Sequence, residues 1–184
     1  MAQRIAFIDI DRVLANGDAR FALAEKAKQE VLTVTGDRRE ATNAYWRTAF
    51  TPEHIALDTP IDGAPDAINK ISADYDIILL TSRPEHLRTA TTEWLKNHNL
   101  IWYTDMVMKP AVNQYHKTRE WKVWMVHALA GMYNASDVLV IDNEEANLDE
   151  LAKVPAPFKM RVYTSLEMKE AVEPVLPDDD DHLF

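Results

Sequence analysis

Two aspartates one residue apart, Asp9 and Asp11, follow an apolar run that begins at Ile5. The run is typical of a short buried strand, and the cluster Asn16-Gly17-Asp18 soon after it is typical of a turn. The carboxyl end of a strand is the usual place for a functional site in an open α/β sheet. Two neighbouring carboxylates repel each other, so such a pair persists most readily around a cation or with one member protonated. A strand-end turn that happens to carry two aspartates is the alternative interpretation.

Polar residues also follow two later apolar runs, at Thr81-Ser82-Arg83 and at Asp142-Asn143. The carboxyl ends of parallel strands meet at one edge of a sheet, so these residues are expected to converge with the two aspartates. Carboxylate oxygens there could hold Mg²⁺, and Thr81 with the amides that open the next helix could receive a phosphate. A cation, a phosphate cradle and a spare carboxylate are sufficient for transfer of a phosphoryl group to an aspartate.

The segments between these strands have helical patterns. Apolar residues at helical spacing predict one helix over about 19–34 and a second ending near Phe50, separated by Thr35-Gly36-Asp37. Residues 15–60 are therefore predicted to form a small helical insert after the first strand. Tyr45, Trp46 and Phe50 could stack on a base if this insert closes over the site, and helix packing explains them equally well.

Further along, the sequence predicts a helix near 64–73, a strand over 76–81, and a helix whose first turn contains Pro84. A weak strand is predicted over 104–108, then a strongly amphipathic helix, then an apolar strand over 138–141 that ends at Asp142, and a last short strand over 159–163. We interpret the apolar stripe of that helix as core; it comprises Trp121, Trp124, Met125, Ala128, Leu129 and Met132. Alternating strands and helices predict an α/β fold, with a doubly wound, Rossmann-like parallel sheet in a single domain over 1–184.

Composition limits the functions that the chain can have. Its 184 residues carry a formal charge of −10, part of it in an acidic tail over 174–184. This excess of acidic over basic residues disfavours extended nucleic-acid binding, which depends on Lys and Arg contacts to phosphates. No cysteine is present, so disulfides and thiolate metal sites are excluded and a cytoplasmic location is expected. We also expect no membrane association, because no signal-peptide core or membrane-length apolar run is present.

The ordered pattern Asp-x-Asp-x-Val at Asp9, Thr81 after a strand, then a lysine, then Asp142 resembles the haloacid dehalogenase (HAD) superfamily of aspartate-nucleophile phosphatases. The resemblance implies that Asp9 attacks phosphorus and that Asp11 protonates the leaving oxygen and then activates water. It also implies Mg²⁺ held by Asp9, the backbone carbonyl of Asp11, and Asp142, with Asn143 beside them. Lys122, which lies 20 residues before Asp142, is the preferred candidate for the lysine that pairs with the nucleophile.

Within that superfamily the chain is most similar to the 3′-phosphatase domains of polynucleotide kinase-phosphatases and their stand-alone, often phage-borne, relatives. The resemblance rests on Thr81-Ser82-Arg83, on Met108-Lys109-Pro110 followed by Lys122, and on Arg20, eleven residues after Asp9. It implies substrate contacts from Arg20, Ser82, Arg83 and Lys109. The expected substrates are phosphorylated small molecules or nucleotides, including the 3′-phosphate ends of short nucleic acids.

Three residues depart from the pattern of these relatives. Arg12 stands where glycine is frequent, Asn143 replaces a second aspartate, and Thr118 falls where the closer relatives carry an acid that orients their lysine. Two other interpretations therefore remain beside the nucleotide phosphatase. One is a phosphatase of a non-nucleotide metabolite. The other is a catalytically decayed HAD-like domain that serves as a binding module.

Overall fold

The computed structural model describes residues 3–110 and 117–166 and the backbone of a strand at 171–172. The helices and strands are, in chain order, β1 (Gln3–Ile8), β2 (Ala15–Asn16), α1 (Asp18–Thr35), α2 (Arg38–Ala49), α3 (Pro52–Ile55), β3 (Thr59–Pro60), α4 (Ala64–Ser72), β4 (Asp76–Pro84), α5 (Arg88–Asn97), β5 (Asp105–Lys109), α6 (Thr118–Met132), β6 (Ala135–Ile141), α7 (Glu145–Ala152), β7 (Lys159–Tyr163) and β8 (Ala171–Val172). A single 3₁₀ turn, Glu85–Leu87, joins β4 to α5.

The main sheet has the strand order β5-β4-β1-β6-β7-β8. All of its neighbouring strands are parallel except β7 and β8, which are antiparallel. The chain winds from β1 through β4 to β5 on one side, and then returns to β6 and β7 on the other. This topology confirms the predicted α/β, doubly wound, Rossmann-like fold. It also places the carboxyl end of β1 where the winding direction changes, which is the preferred ligand site of such sheets.

The core lies on both faces of the sheet because consecutive residues of β1 point to opposite sides. Ala6 and Ile8 pack in one hydrophobic cluster with buried residues of α4 and α5. Ile5 and Phe7 pack in a second cluster with buried residues of α6 and α7. A strand covered on both faces is apolar throughout, which explains the continuous apolar run before Asp9.

Residues 15–60 form three helices between the short antiparallel strands β2 and β3. Gly36 has a positive φ of 70° and ends α1, and its N–H donates to the carbonyl of Leu32. The Asp37 side chain then caps α2 by accepting from two backbone N–H groups of its first turn. These local signals fold the segment into a helical hairpin that begins and ends beside the carboxyl edge of the main sheet.

Two sequence predictions need correction. Within the predicted core stripe of α6, Trp121 is buried and Met125 and Leu129 pack against the core, but Trp124 and Met132 are 62% and 79% exposed. The buried residues of α6 are Trp121, Lys122, Val123, Val126 and Ala130. The helix is rotated so that Lys122 points inward to partners that periodicity does not show. Pro84 ends β4 rather than opening a helix, because the strand extends past Thr81 and pairs Pro84 with Lys109.

The predicted acidic tail over 174–184 lies outside the described residues, and the sequence did not predict β8. Among the helices of the described part, not one combines the length and the apolar character that crossing a membrane requires.

Candidate active site

The register of the sheet brings Asp9 and Asp142 side by side. Ile8 pairs with Ile141, so the next residue of each strand lies at the same level, and the Asp9 N–H donates to the Ile141 carbonyl at 2.9 Å. On the other side of β1, Ile8 pairs with Leu79, two residues before Thr81. The expected convergence of the three strand ends follows directly from this pairing.

Lys122 connects the two aspartates. Its Nζ lies 2.9 Å from Asp9 Oδ2 and 2.6 Å from Asp142 Oδ2. All three side chains are buried, with Asp9 7% and Lys122 3% exposed. A single ammonium group therefore compensates two neighbouring carboxylates in a region of low dielectric constant, where an uncompensated charge is costly.

Further hydrogen bonds fix the orientation of Asp142. Its Oδ1 accepts from the Glu144 N–H at 2.9 Å, and the Asn147 amide donates to both carboxylate oxygens at 3.0 Å. Asn147 is buried in the first turn of α7. These contacts position Asp142, and through it Lys122.

The buried environment shifts the pKa values of Asp9 and Lys122. Burial raises the pKa of Asp9 to about 7, with Asp142 and Asp11 adding to the rise and the Lys122 ammonium opposing it. Burial acts to lower the pKa of Lys122, but the charges of Asp9 and Asp142 outweigh it and raise that pKa above its ordinary value. The lysine is therefore a fixed cation, and Asp9 is a carboxylate whose ionisation depends on it.

Asp11 points away from this group, toward two arginines. Arg83 Nη2 donates to Asp11 Oδ1 at 2.7 Å, and Arg20 Nη2 donates to the same oxygen. Burial acts to raise the pKa of Asp11, but the guanidinium groups of Arg83 and Arg20 hold it below its ordinary value. The charged form that results is able to accept a proton.

Asp58, just before β3, forms ion pairs with both arginines. Its Oδ1 accepts from Arg20 Nε at 2.8 Å and its Oδ2 from Arg83 Nη2 at 2.7 Å. Both arginines are fully buried. The Trp94 indole of α5 donates to the Asp58 carbonyl at 2.8 Å. Asp58 therefore holds the pair of arginines that orients Asp11.

Ten side chains were proposed from the sequence, and several of them lie around a cleft of about 260 Å³. Some of them line it, namely Asp9, Asp11, Ser82, Lys122 and Asn143. Thr81, Arg20 and Arg83 are fully buried, and the Arg83 N–H donates to Thr81 Oγ1 at 3.2 Å. Lys109, at the end of β5, donates to Thr118 Oγ1 at 3.4 Å. The substrate contacts predicted for Arg20, Arg83 and Lys109 stay predictions.

Sequence reasoning missed Asp58, Asn147 and Glu144, which lines the cleft beside Asn143. Asp58 belongs to no motif, and the 38 residues that separate it from Arg20 are bridged only by the folded insert. The position of Asn147, five residues after Asp142, could have indicated this contact. A helix that starts just after a strand places its first turn over the end of that strand. Asn147, rather than Thr118, is the neighbour that stabilises the Lys122 ion pairs.

The described residues suit a small oxygen-bound cation. Asp9 Oδ1 is buried and has no hydrogen-bond partner among them, so an acceptor is left for a cation. Across 3–110 and 117–166, no three His, Asp or Glu side chains form a cation site by themselves. Backbone oxygen and water would have to complete the shell. Mg²⁺ tolerates this arrangement because it usually keeps several waters.

Comparisons with known proteins identify the fold. No protein-family model and no curated protein sequence matches the chain. A HAD-like family hydrolase from Streptococcus pneumoniae superposes with a TM-score of 0.64 at 12% identity, covering 86% of this chain and 83% of that one. A protein described as a HAD hydrolase, YfnB from Bacillus subtilis, determined bound to magnesium, gives 0.55 at 11%, covering 91% and 96%.

A chain of the Pnkp1/Rnl/Hen1 RNA repair complex gives a TM-score of 0.58 at 15% identity, covering 86% of this chain and 43% of that chain. The structure thus has the fold of the HAD-like hydrolases, which confirms the fold that the motif order implied. At these identities the likeness concerns the fold alone.

Asp58→Asn should destabilise the protein strongly, by about 3–5 kcal/mol, because it leaves two buried guanidinium groups with one charged partner instead of two. Urea unfolding would measure the loss. Asp62→Asn is the matched control, since Asp62 is exposed four residues further on. Equal stability of the two variants would show that Asp58 does not hold the arginines.

Proposed function

We propose that the protein is a Mg²⁺-dependent phosphomonoesterase that forms an aspartyl-phosphate on Asp9 and acts on nucleotides or on the 3′-phosphate ends of short nucleic acids. The observation that carries the proposal is the Lys122 bridge between Asp9 and Asp142. It keeps a buried carboxylate beside a cleft, with one oxygen paired to a cation and the other unpartnered. A carboxylate whose charged form is favoured by the Lys122 ammonium is suited to attack an electrophile.

The proposed reaction has two steps. In the first, an Asp9 oxygen forms a bond to phosphorus while the ester bond to the leaving oxygen breaks, and the Asp11 carboxyl group gives that oxygen its proton. In the second, Asp11 accepts a proton from water as the water oxygen attacks phosphorus. The bond to Asp9 then breaks and inorganic phosphate is released.

The arginine contacts of Asp11 favour its charged form, so they serve the second step directly. The proton for the first step has to be gained when the phosphate binds, because a phosphate dianion beside Asp11 raises the pKa of that carboxyl group. The Lys122 ammonium offsets the charge that collects on Asp9 and the phosphate. In this proposal Asp58, Arg20 and Arg83 are positioning residues for Asp11.

Asp9, the Asp11 backbone carbonyl and Asp142 would hold the Mg²⁺, with Asn143 beside them. A cation there would neutralise part of the phosphate charge and would orient phosphorus toward the nucleophile. The Asp142 oxygens already accept bonds from Lys122, Asn147 and the Glu144 N–H. Asn143 adds no charge to this set, so the site has fewer negative ligands than one with two aspartates.

Phosphate release from a panel of substrates tests the proposal. The panel contains 3′- and 5′-nucleotides, 3′-phosphorylated oligonucleotides of increasing length, and sugar phosphates, each with Mg²⁺ or with chelator. We expect activity with Mg²⁺ and none in excess chelator, while circular dichroism shows that the fold survives chelation. Full turnover in chelator would contradict the mechanism, and activity confined to sugar phosphates would favour a metabolite phosphatase. A binding module would release no phosphate at all.

Strand length and salt dependence refine the same test. A chain with a charge of −10 repels a long polyanion, so a mononucleotide or short oligonucleotide should be hydrolysed about as well as a long strand. The slope of log KM against log salt should reflect about one or two phosphate contacts. A steep slope with a strong preference for long strands would contradict this expectation.

A further inference from the structure

Part of the lining of the cleft is aromatic. Four of the eleven lining residues are aromatic, whereas aromatic residues make up 9% of the chain. They are Phe21 of α1, Tyr45 and Trp46 of α2, and Phe50 at its end. All come from the insert, and the lining residues that carry the proposed chemistry come from the main sheet and α6.

These four rings form one continuous surface. Phe21 stacks on Tyr45 at a centroid distance of 6.3 Å, Tyr45 meets Trp46 edge-on at 4.8 Å, and Trp46 stacks on Phe50 at 5.6 Å. Packing within the hairpin explains why the rings touch one another. It does not explain why Trp46 stays 49% exposed and lines a cleft that also contains Asp9.

Arg12 adds a cation to the same cleft. It is exposed in the turn after Asp11, and its guanidinium carbon lies 5.8 Å from the centre of the Phe21 ring. Its φ is 62°, a left-handed conformation that costs a residue other than glycine of the order of 1 kcal/mol. A strained backbone that holds a guanidinium beside an aromatic surface indicates a binding role, because stability alone would favour glycine there.

We propose that this aromatic wall, formed by Phe21, Tyr45, Trp46 and Phe50, together with Arg12, binds the planar base of a nucleoside whose phosphate faces Asp9. The inference rests on the proposed function, since it takes the phosphate group to lie at the carboxylates. Bases stack on aromatic side chains and on arginine planes irrespective of their hydrogen-bonding pattern. The wall therefore selects nucleosides over aliphatic phosphate esters, with little discrimination among bases. A volume of about 260 Å³ suits one such group rather than a duplex.

The test compares kcat/KM for a 3′-nucleoside monophosphate with kcat/KM for glycerol 2-phosphate. Trp46→Ala should lower the ratio of the two values about tenfold, mainly through the KM of the nucleotide, because stacking on one ring is lost. Trp46→Phe should retain most of the ratio. The matched control is Trp124→Ala, since Trp124 is an exposed tryptophan of α6 outside the cleft, and it should leave both values unchanged. A Trp46→Ala effect equal on both substrates, or absent from both, would overturn the proposal.

Arg12→Gly provides a second variant that is not expected to unfold. It relieves the left-handed strain, so its urea midpoint should equal or exceed that of the wild type while the nucleotide preference falls. Quenching of tryptophan fluorescence by adenosine 3′-monophosphate gives a readout without turnover, and most of it should be lost in Trp46→Phe. Absence of phosphate release from every ester would contradict the proposed function. Quenching that is the same in the wild type and Trp46→Phe would contradict the aromatic site.

Discussion

Asp9→Asn is expected to lower the rate of phosphate release by about 10³-fold or more. An amide oxygen is a poor nucleophile, and the substitution removes one of the two carboxylates that Lys122 bridges. The fold should survive, because Lys122 keeps its ion pair with Asp142 and the new side chain has nearly the same shape. Phosphate release under saturating substrate would measure the effect. A variant with even a tenth of the wild-type rate would show that Asp9 is not the nucleophile.

Two further variants separate the role of Asp11 from that of Asp9 and provide a control. Asp11→Asn should still transfer the phosphoryl group to Asp9 from a substrate with a good leaving group, but hydrolysis of the aspartyl-phosphate should stall. Acid quenching followed by mass spectrometry would detect the added phosphate in Asp11→Asn and not in Asp9→Asn. Asp149→Asn, at an exposed position of α7, is the matched control and should leave the rate unchanged.

Lys122→Met should remove activity and also destabilise the fold. The methionine fills a similar volume without the ammonium group, so Asp9 and Asp142 are left as buried neighbours without their shared cation. Breaking a buried ion pair in this way typically costs about 3–5 kcal/mol. Urea unfolding and phosphate release would measure the two losses. Lys109→Met is the comparison variant and should be affected far less, and the opposite order would identify Lys109 as the lysine that pairs with the nucleophile.

The stability deficit of Lys122→Met should depend on pH. The pKa of Asp9 is about 7 in the folded protein, above its ordinary value, and loss of the ammonium group raises it further. A carboxyl group whose pKa is higher in the folded state stabilises the fold when protonated. That contribution is present at low pH and is lost as pH rises through the folded-state pKa. The deficit should therefore be smaller near pH 5.5 than near pH 8, and a deficit that grows on acidification would contradict the ion-pair explanation.

Much of the fold could be predicted from local patterns. The run from Ile5 to Ile8 is apolar at every position because β1 is covered on both faces, and that pattern is visible without any tertiary information. Gly36 and Asp37 mark the break between α1 and α2 through backbone geometry and capping, which are properties of a few neighbouring residues. The convergence of the polar strand ends then followed from the general rule that parallel strands end at the same edge of a sheet, whereas the order of the strands came only from the structure.

The rotation of α6 could not be predicted in the same way. Its apolar residues include Trp124 and Met132, so periodicity centred the core stripe too far toward a side of the helix that the structure leaves exposed at these two positions. The inward position of Lys122 depends on Asp9 and Asp142, which are more than a hundred and twenty residues apart in sequence and meet only when β1 pairs with β6. A buried ammonium group is stable only beside such partners, and the periodicity of a single helix contains no sign of them. The order of the motifs, not helix periodicity, is what singled out Lys122 in the sequence.

The sequence by itself determined which residue types stand at the ends of the strands, and therefore which chemistry the sheet edge can support. Tertiary structure decided what each of those residues contacts. Asp58 shows the difference, because nothing in its neighbourhood distinguishes it, yet it holds both arginines that contact Asp11. Local structure arises from interactions between neighbours in the chain, whereas the charge balance of a buried site is set by residues that only the complete fold brings together.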